Sequence, residues 1–343
     1  MRIALDAAAG DTGLAPNIEG AIAAANAWGL ELLLVGPAAA VRGELTARGI
    51  PHSDRRFEVV DAPQIIPMDA DPAAACRDMP EASILACARL VGEGRAAALV
   101  SAGHSGAAVT ASLWHIKRLP GVLRPALAVA IPTPRGHTVL LDVGANTECK
   151  PWHLLQFAAM GALYCRHMLH SAEPTVGILS VGEEESRGND LVREAGPLLK
   201  ASGLDFRGPV EGHDITAGTV DVVVCDGFVG NIALKLIEGV AAAIFNSLKA
   251  EIRRNHIYKA GGLLLRAPFN RLKKRLNPDE HGGAPLLGVG GAVVVAHGRS
   301  NAKAIANSLR AAQQLAERGV DAQIRRSVAD MKLSLETARL QLL

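Results

Sequence analysis

Aromatic residues are scarce in this 343-residue chain: Phe, Trp and Tyr together make up 3% of it. Single-stranded nucleic acid is held largely by stacking on aromatic faces, so that class of ligand is disfavoured. Charge of one sign is lacking too. The formal net charge is +2, which provides no global field for DNA or RNA, and no nucleic-acid partner is expected. The five cysteines (Cys76, Cys87, Cys149, Cys165, Cys225) form no CxxC pair, which argues against a zinc knuckle or a thioredoxin motif. Their odd number and wide spacing fit reduced thiols in a cytosolic protein. The opening "MRIALDAAAGDTG" does not read as a secretory signal, because Asp6 interrupts the apolar run. No charge-free run of about 20 apolar residues occurs, so no spanning helix is expected.

Several catalytic signatures are missing as well. A GxGxxG fingerprint does not open the first helix, which disfavours a dinucleotide enzyme. The GxxxxGK[ST] spacing of a Walker A loop is absent. Without a GxSxG elbow, a serine hydrolase reading fails. Asp6 and Asp11 could hold a cation, but no further ligands cluster near them and no metal site is expected.

What is present is alternation. Apolar runs such as "RIALDA", "LELLLVG", "AAALVSAG", "ALAVAIPT", "TVLLDVGAN", "TVGILSVG" and "TVDVVVCDG" read as strands. Between them lie helical patterns, among them "PNIEGAIAAANAWG" with Gly29 as its stop and "HLLQFAAMGALYCRHML". "LLGVGGAVVVAHG" reads as one further strand region before "NAKAIANSLRAAQQLAERG". This order predicts an α/β fold of three α/β/α layers around a mostly parallel sheet, with 1–343 forming a single domain. Residues 240–278 differ in pattern and are expected to form a protruding helical segment.

Many predicted strands end in glycine and polar residues just ahead of a helix: "SAGHSGA", "DVGANTECK", "SVGEEESRGND", "CDGFVGN" and "AHGRSNAK". Ligands of open α/β sheets bind at the carboxyl ends of strands, so these five loops suggest one composite site. Free N–H groups at a helix start favour anions. Arg187 is a cation in a glycine-flanked loop and could hold phosphate through its fork of donors. His104 is either an oxyanion donor or a helix cap. Cys225, at a buried strand end, reads as packing.

Taken together, the stretches "LDVGANTECKPWHLLQFAAMG", "CDGFVGNIALKLIEG" and "GGAPLLGVGGAVVVAHG" resemble the bacterial phosphate acyltransferases of phospholipid synthesis, almost from end to end. The resemblance implies a fold similar to isocitrate dehydrogenase-like enzymes and phosphotransacetylases, usually as a homodimer. It also implies a reaction: transfer of a long-chain acyl group from acyl-carrier protein to inorganic phosphate, without metal or organic cofactor. A membrane glycerol-3-phosphate acyltransferase would use the acyl phosphate. The chain departs from the family pattern at Ala8, Ala9, His104, Ser105, Arg187, His281, Gly290 and Arg299, and "DMP" follows Arg77. An enzyme using acyl-CoA, or a scaffold that has lost the chemistry, are the competing readings.

Such a reaction needs donors that hold phosphate beside a thioester and stabilise a tetrahedral oxyanion. The expected catalytic pair is Asn231 with Arg187. Ser101, Gly103, His104, Ser105, Gly106, Asn146, Asp11, Asp226, Gly230, His297, Ser300 and Asn301 are expected to bind substrate. Gly227 and Gly230 are expected to let the backbone approach the ligand, and Leu234, Ile237, Ala241, Ile244 and Leu248 to anchor the following helix in the core. In "LLLRAPFNRLKKRL", Leu265, Phe269, Leu272 and Leu276 share one helical face, with Arg266, Arg271, Lys273, Lys274 and Arg275 around it. Such a helix suits an anionic membrane surface or an acidic carrier protein, and the family's peripheral membrane association favours the former. A dimer-interface helix with a solvated basic edge is the third reading.

Overall fold

The computed structural model describes residues 1–280 and 282–341; His281 lies outside the described residues. Eleven strands form one sheet. They are β1 (Arg2–Asp6), β2 (Glu31–Gly36), β3 (Phe57–Asp61), β4 (Ala98–Ser101), β5 (Ala126–Thr133), β6 (Gly136–Leu141), β7 (Thr175–Leu179), β8 (Asp205–Val210), β9 (Val222–Val224), β10 (Ala284–Leu287) and β11 (Ala292–Val295). Their spatial order is β3-β2-β1-β4-β11-β10-β5-β6-β9-β7-β8. Helices cover both faces, as the alternating sequence predicts. Leu14–Trp28, Pro151–Met168 and Ala302–Arg318 enclose a core around Ile18, Leu154, Phe157 and Ile305. Ser83–Gly92 and Ser105–Ala111 enclose a second around Leu85, Cys87 and Val293. Consecutive Leu32, Leu33 and Leu34 are all buried, because a parallel strand covered on both faces has no solvent face.

Seven strand pairs are parallel, but the centre is not: β10 runs antiparallel to both β11 and β5, and β5 antiparallel to β6. "LLGVGGAVVVAHG", read as one strand region, is therefore a hairpin of two strands turning at Gly288, whose φ is 93°. These reversals make β6, β7, β8 and β9 run opposite to β1, β4 and β11. The loops after strands thus fall into two opposed groups rather than along one edge.

The register brings the groups together. β5 pairs with β10 only through Ala126 and Leu127. From Leu127 it climbs to Thr133, about 20 Å at a strand's rise, and β6 descends beside it. β9 is aligned with the lower half of β6. It therefore ends near the level at which β4 and β11 end, and the two opposed sets of strand ends meet there.

From the end of β9 a 27-residue helix, Gly227–Arg253, projects outward. Helix His256–Leu264 folds back along it, with Gly262 seated on Ile252. Helix Arg266–Leu276 then returns to the body, where Arg275 donates to the Thr133 carbonyl. The expected protrusion is thus a three-helix arm whose first helix begins at Gly227. That helix is long and apolar enough, by length and composition, to cross a membrane, although Lys235, Glu238 and Lys249 leave it no charge-free run of about 20 residues. Its first turn is locked into the body by buried Gly227 and Gly230.

Candidate functional site

A cleft of about 1180 Å³ opens where the opposed strand ends meet. Its polar end is built from the loop after β4 (Gly103, His104) and the helix start it leads into (Ser105, Gly106), the loop after β11 (His297, Ser300), Asp11 and Asn231. Its apolar wall is a row on the long helix (Leu234, Ile237, Ala241, Ile244, Leu248) facing Leu127, Val129 and Ile131 of β5. Three of the five helix residues expected in the core are corrected by this placement. Ala241, Ile244 and Leu248 line open space, and Ile244 is 61% exposed. The helix has left the α/β body by that point, so no second layer covers them. Leu234 and Ile237 do pack against the core.

Asn231 owes its position to the turn before it. Asp226 caps the helix, its carboxylate accepting from the N–H groups of Phe228 and Val229 at 3.0 Å each. A methyl group at Gly230 would lie 1.9 Å from the Asp142 carbonyl oxygen, and one at Gly227 would lie 2.6 Å from that of Asn146. The two glycines therefore let the helix approach the 142–146 loop, not a ligand as the sequence suggested. The Asn231 amide sits over Gly144, where a methyl group would be 3.8 Å away.

That loop is organised by Asp142, which sequence reasoning passed over. Its fully buried carboxylate accepts from the N–H groups of Leu127, Gly144, Ala145 and Asn146 and from the Asn146 side chain, at 2.7–3.2 Å. Burial raises its pKa, opposed by these donors. Asn146 also donates to the Pro125 carbonyl at 2.7 Å, so its side chain is spent on structure. On the opposite rim, the Ser101 hydroxyl donates to buried Asp6 at 2.7 Å and accepts from the Gly103 N–H at 3.0 Å. Burial pushes Asp6 up to about 6 against the pull of the Ser83 and Ser101 hydroxyls. The signal that could have found Asp142 is the one that marks Asp6: an Asp ending an apolar strand, where little water can reach it.

The two cleft histidines are fixed alike. His104 Nδ1 accepts from the Ala107 N–H at 3.3 Å, and His297 Nδ1 from the Arg299 N–H at 3.0 Å. With Nδ1 accepting, the ring proton of each neutral imidazole is on Nε2. His104 is thus a helix cap, one of the two readings the sequence left open, and its ring also lines the cleft.

The remaining candidates lie off the cleft wall. Asn301 caps helix Ala302–Arg318 and donates to Asp279 at 2.7 Å. Ser101, Asn146, Asp226 and Gly230 support the walls from behind. Arg187, in the loop after β7, is exposed and pairs with Glu184 at 3.4 Å. Lys235, one turn beyond Asn231, does line the cleft, and sequence reasoning missed it. Of the predicted membrane-facing residues, Leu272 and Arg275 line the cleft, while Leu265, Arg271 and Lys274 are exposed and Phe269 is half-buried. The side chains of Lys273 and Leu276 lie outside the described residues. Among the described residues no cluster of three or more potential metal ligands occurs.

The profile of the family described as "Fatty acid synthesis protein" matches residues 1–323. A phosphate acyltransferase of Elusimicrobium minutum is 47% identical over 333 residues, 97% of each chain. One from Geotalea daltonii is 46% identical, covering 94% of this chain and 92% of its own. The chain belongs to the phosphate acyltransferase family. Among solved structures, a phosphotransacetylase of Streptococcus pyogenes shares the fold, with a TM-score of 0.63, 19% identity, and coverage of 92% of this chain and 94% of its own. A 4-hydroxythreonine-4-phosphate dehydrogenase of Klebsiella pneumoniae does so with a TM-score of 0.55 and 14% identity over 92% of this chain and 99% of its own.

As a phosphate acyltransferase, the chain is a transferase, and its thiols can be weighed as nucleophiles. Burial raises Cys225 well above an ordinary thiol and takes Cys149 to about 12. Neither supplies a thiolate near neutral pH. The donors gathered at the polar end suit direct attack by a bound anion instead.

Proposed function

We propose that this chain transfers a long-chain fatty acyl group from acyl-carrier protein to inorganic phosphate. A phosphate oxygen attacks the thioester carbonyl and a tetrahedral oxyanion forms. The C–S bond then breaks, and the thiolate takes up the proton that phosphate gives up. The products are acyl phosphate and free carrier protein. Asn231, the Nε2–H groups of His104 and His297, and the hydroxyls of Ser105 and Ser300 are the donors for phosphate and oxyanion.

One observation carries the reading: a polar pocket that continues directly into an apolar groove. From Leu234 to Leu248 the helix row spans about 21 Å at 1.5 Å per residue. Half of a bilayer's ~30 Å hydrocarbon core, roughly the reach of one acyl chain, is shorter than that. A small acyl-CoA would leave most of the groove empty.

The acyl phosphate would pass to a membrane-bound acyltransferase acting on glycerol 3-phosphate. Cytoplasmic residence with peripheral attachment to an anionic membrane is supported by the arm, where Ile257, Leu263 and Leu264 stand exposed close to Arg271 and Lys274 in sequence. Exposed Phe228 and Ile232, off the cleft wall, support pairing of two copies.

The test is acyl-phosphate formation from matched acyl-carrier-protein and acyl-CoA thioesters. Wild-type protein should prefer the carrier-protein thioester, and Asn231→Ala should lose roughly 10²–10³ in turnover. Full turnover by that variant, with its fold confirmed, would remove Asn231 from the chemistry. Absence of acyl phosphate from every thioester would sink the reading.

A further inference from the structure

We propose that Lys235 is the cation that holds phosphate in the cleft. The assignment rests on the acyl-transfer reading above and adds a residue to it. Lys235 follows Asn231 by four residues, so the two lie one above the other on one helical face, and both line the cleft. It also sits where the polar end gives way to the apolar row that starts at Leu234, the place where phosphate and thioester must meet.

Of the competing cations, two are otherwise engaged, and Arg299, in the loop after β11, is not on the cleft wall. Arg187 is off the wall and paired with Glu184. Arg275 lines the cleft but donates to the Thr133 carbonyl, at the far end of β5 from Leu127. Lys235 has no carboxylate within ion-pairing distance among the described residues; Glu238 shares the wall without bridging to it. The other donors here are the two Nε2–H groups and the Asn231 amide, and none of them is a fixed cation. An ammonium on a flexible stem supplies that charge as a point charge and need not present a planar fork.

Phosphate is charged both before and during attack, so the ion pair acts on binding more than on the chemical step. A hydrogen bond to a charged group is worth about a tenfold to a hundredfold change in affinity. Lys235→Met should therefore raise the KM for phosphate by that factor. Its kcat and its KM for the acyl thioester should stay within a few-fold of wild type, and Lys235→Arg should recover most of the loss. The side chain is exposed, so Lys235→Met is expected to fold, which circular dichroism checks. A phosphate KM within twofold of wild type in Lys235→Met overturns the assignment, whatever Arg187→Met does.

The two readings fail separately. If wild-type protein makes no acyl phosphate from any thioester, the acyl-transfer reading falls. The Lys235 assignment is then read from binding of inorganic phosphate alone, followed by ³¹P NMR. Binding at least tenfold weaker in Lys235→Met sustains it, and equal binding or none in wild type ends it.

Discussion

Gly230→Ala adds one methyl group at the hinge between sheet and long helix. That carbon would lie 1.9 Å from the Asp142 carbonyl oxygen, against an ordinary contact of 3.4 Å or more, so about 1.5 Å of separation must be found. Neither partner gives easily. The obstacle is backbone, in a loop whose carboxylate accepts four backbone N–H groups and an amide. Overpacking of this kind costs roughly 1–3 kcal/mol. For a chain of this size that is a fall in Tm of several degrees. The helix should tilt away instead of the loop, carrying Asn231 with it, and a displacement near 1 Å can cost about 10²-fold in rate. The control is Gly239→Ala in the same helix, where a methyl group would meet nothing within 4 Å. That change should stabilise by about 0.5–1 kcal/mol and leave turnover alone. Thermal melts and acyl-phosphate formation, run on both variants, decide the matter. A Gly230→Ala protein with wild-type Tm and rate would refute the claim that this contact sets the helix.

Asp6 gives a pH-dependent prediction. Its folded pKa, about 6, stands above its unfolded value near 3.8, so the folded state binds the extra proton. Its contribution to stability is complete below pH 4 and lost as pH rises through 6, on the order of 2–3 kcal/mol in all. Asp6→Asn, which keeps an acceptor for Ser101, should therefore gain stability relative to wild type between pH 4.5 and 7; parallel melting curves across that range would contradict it. Asp142→Ala removes the acceptor of five N–H groups, three of them buried, and should cost about 3–5 kcal/mol, seen as a large fall in denaturation midpoint. His104→Gln retains an N–H donor of similar reach, while His104→Leu does not. The first should keep most of the turnover and the second lose about 10²; equal damage by both would point to proton transfer instead of donation.

Much of the fold is legible in local pattern. Continuous apolar runs such as Leu32–Leu34 need burial on two sides, and Gly29 ends its helix with φ of 65° where the pattern stops. The family was legible too, because three long stretches, among them "CDGFVGNIALKLIEG", match its pattern in the right order. Residue roles were less legible. Asp226, Asn146 and Asn301 look like ligand-binding polar residues in sequence, yet their side chains are held by caps and loop hydrogen bonds. Polar side chains at strand ends serve either purpose, and only their partners in space tell which.

The sequence by itself determined most of the strands and helices, the glycine-bearing turns and the apolar stripe on the long helix. Those depend on residues within a few positions of each other. The tertiary structure alone decided that the strand-end loops oppose one another, because pairing directions in the sheet are set by contacts such as Leu127 with Leu286, far apart in the chain. It alone decided that Ile244 and Leu248 line a groove instead of a core. An apolar stripe states that a face avoids water, not what covers it. Lys235 came into view for the same reason: its place beside Asn231 matters only once the opposing loops have closed the other side of the cleft.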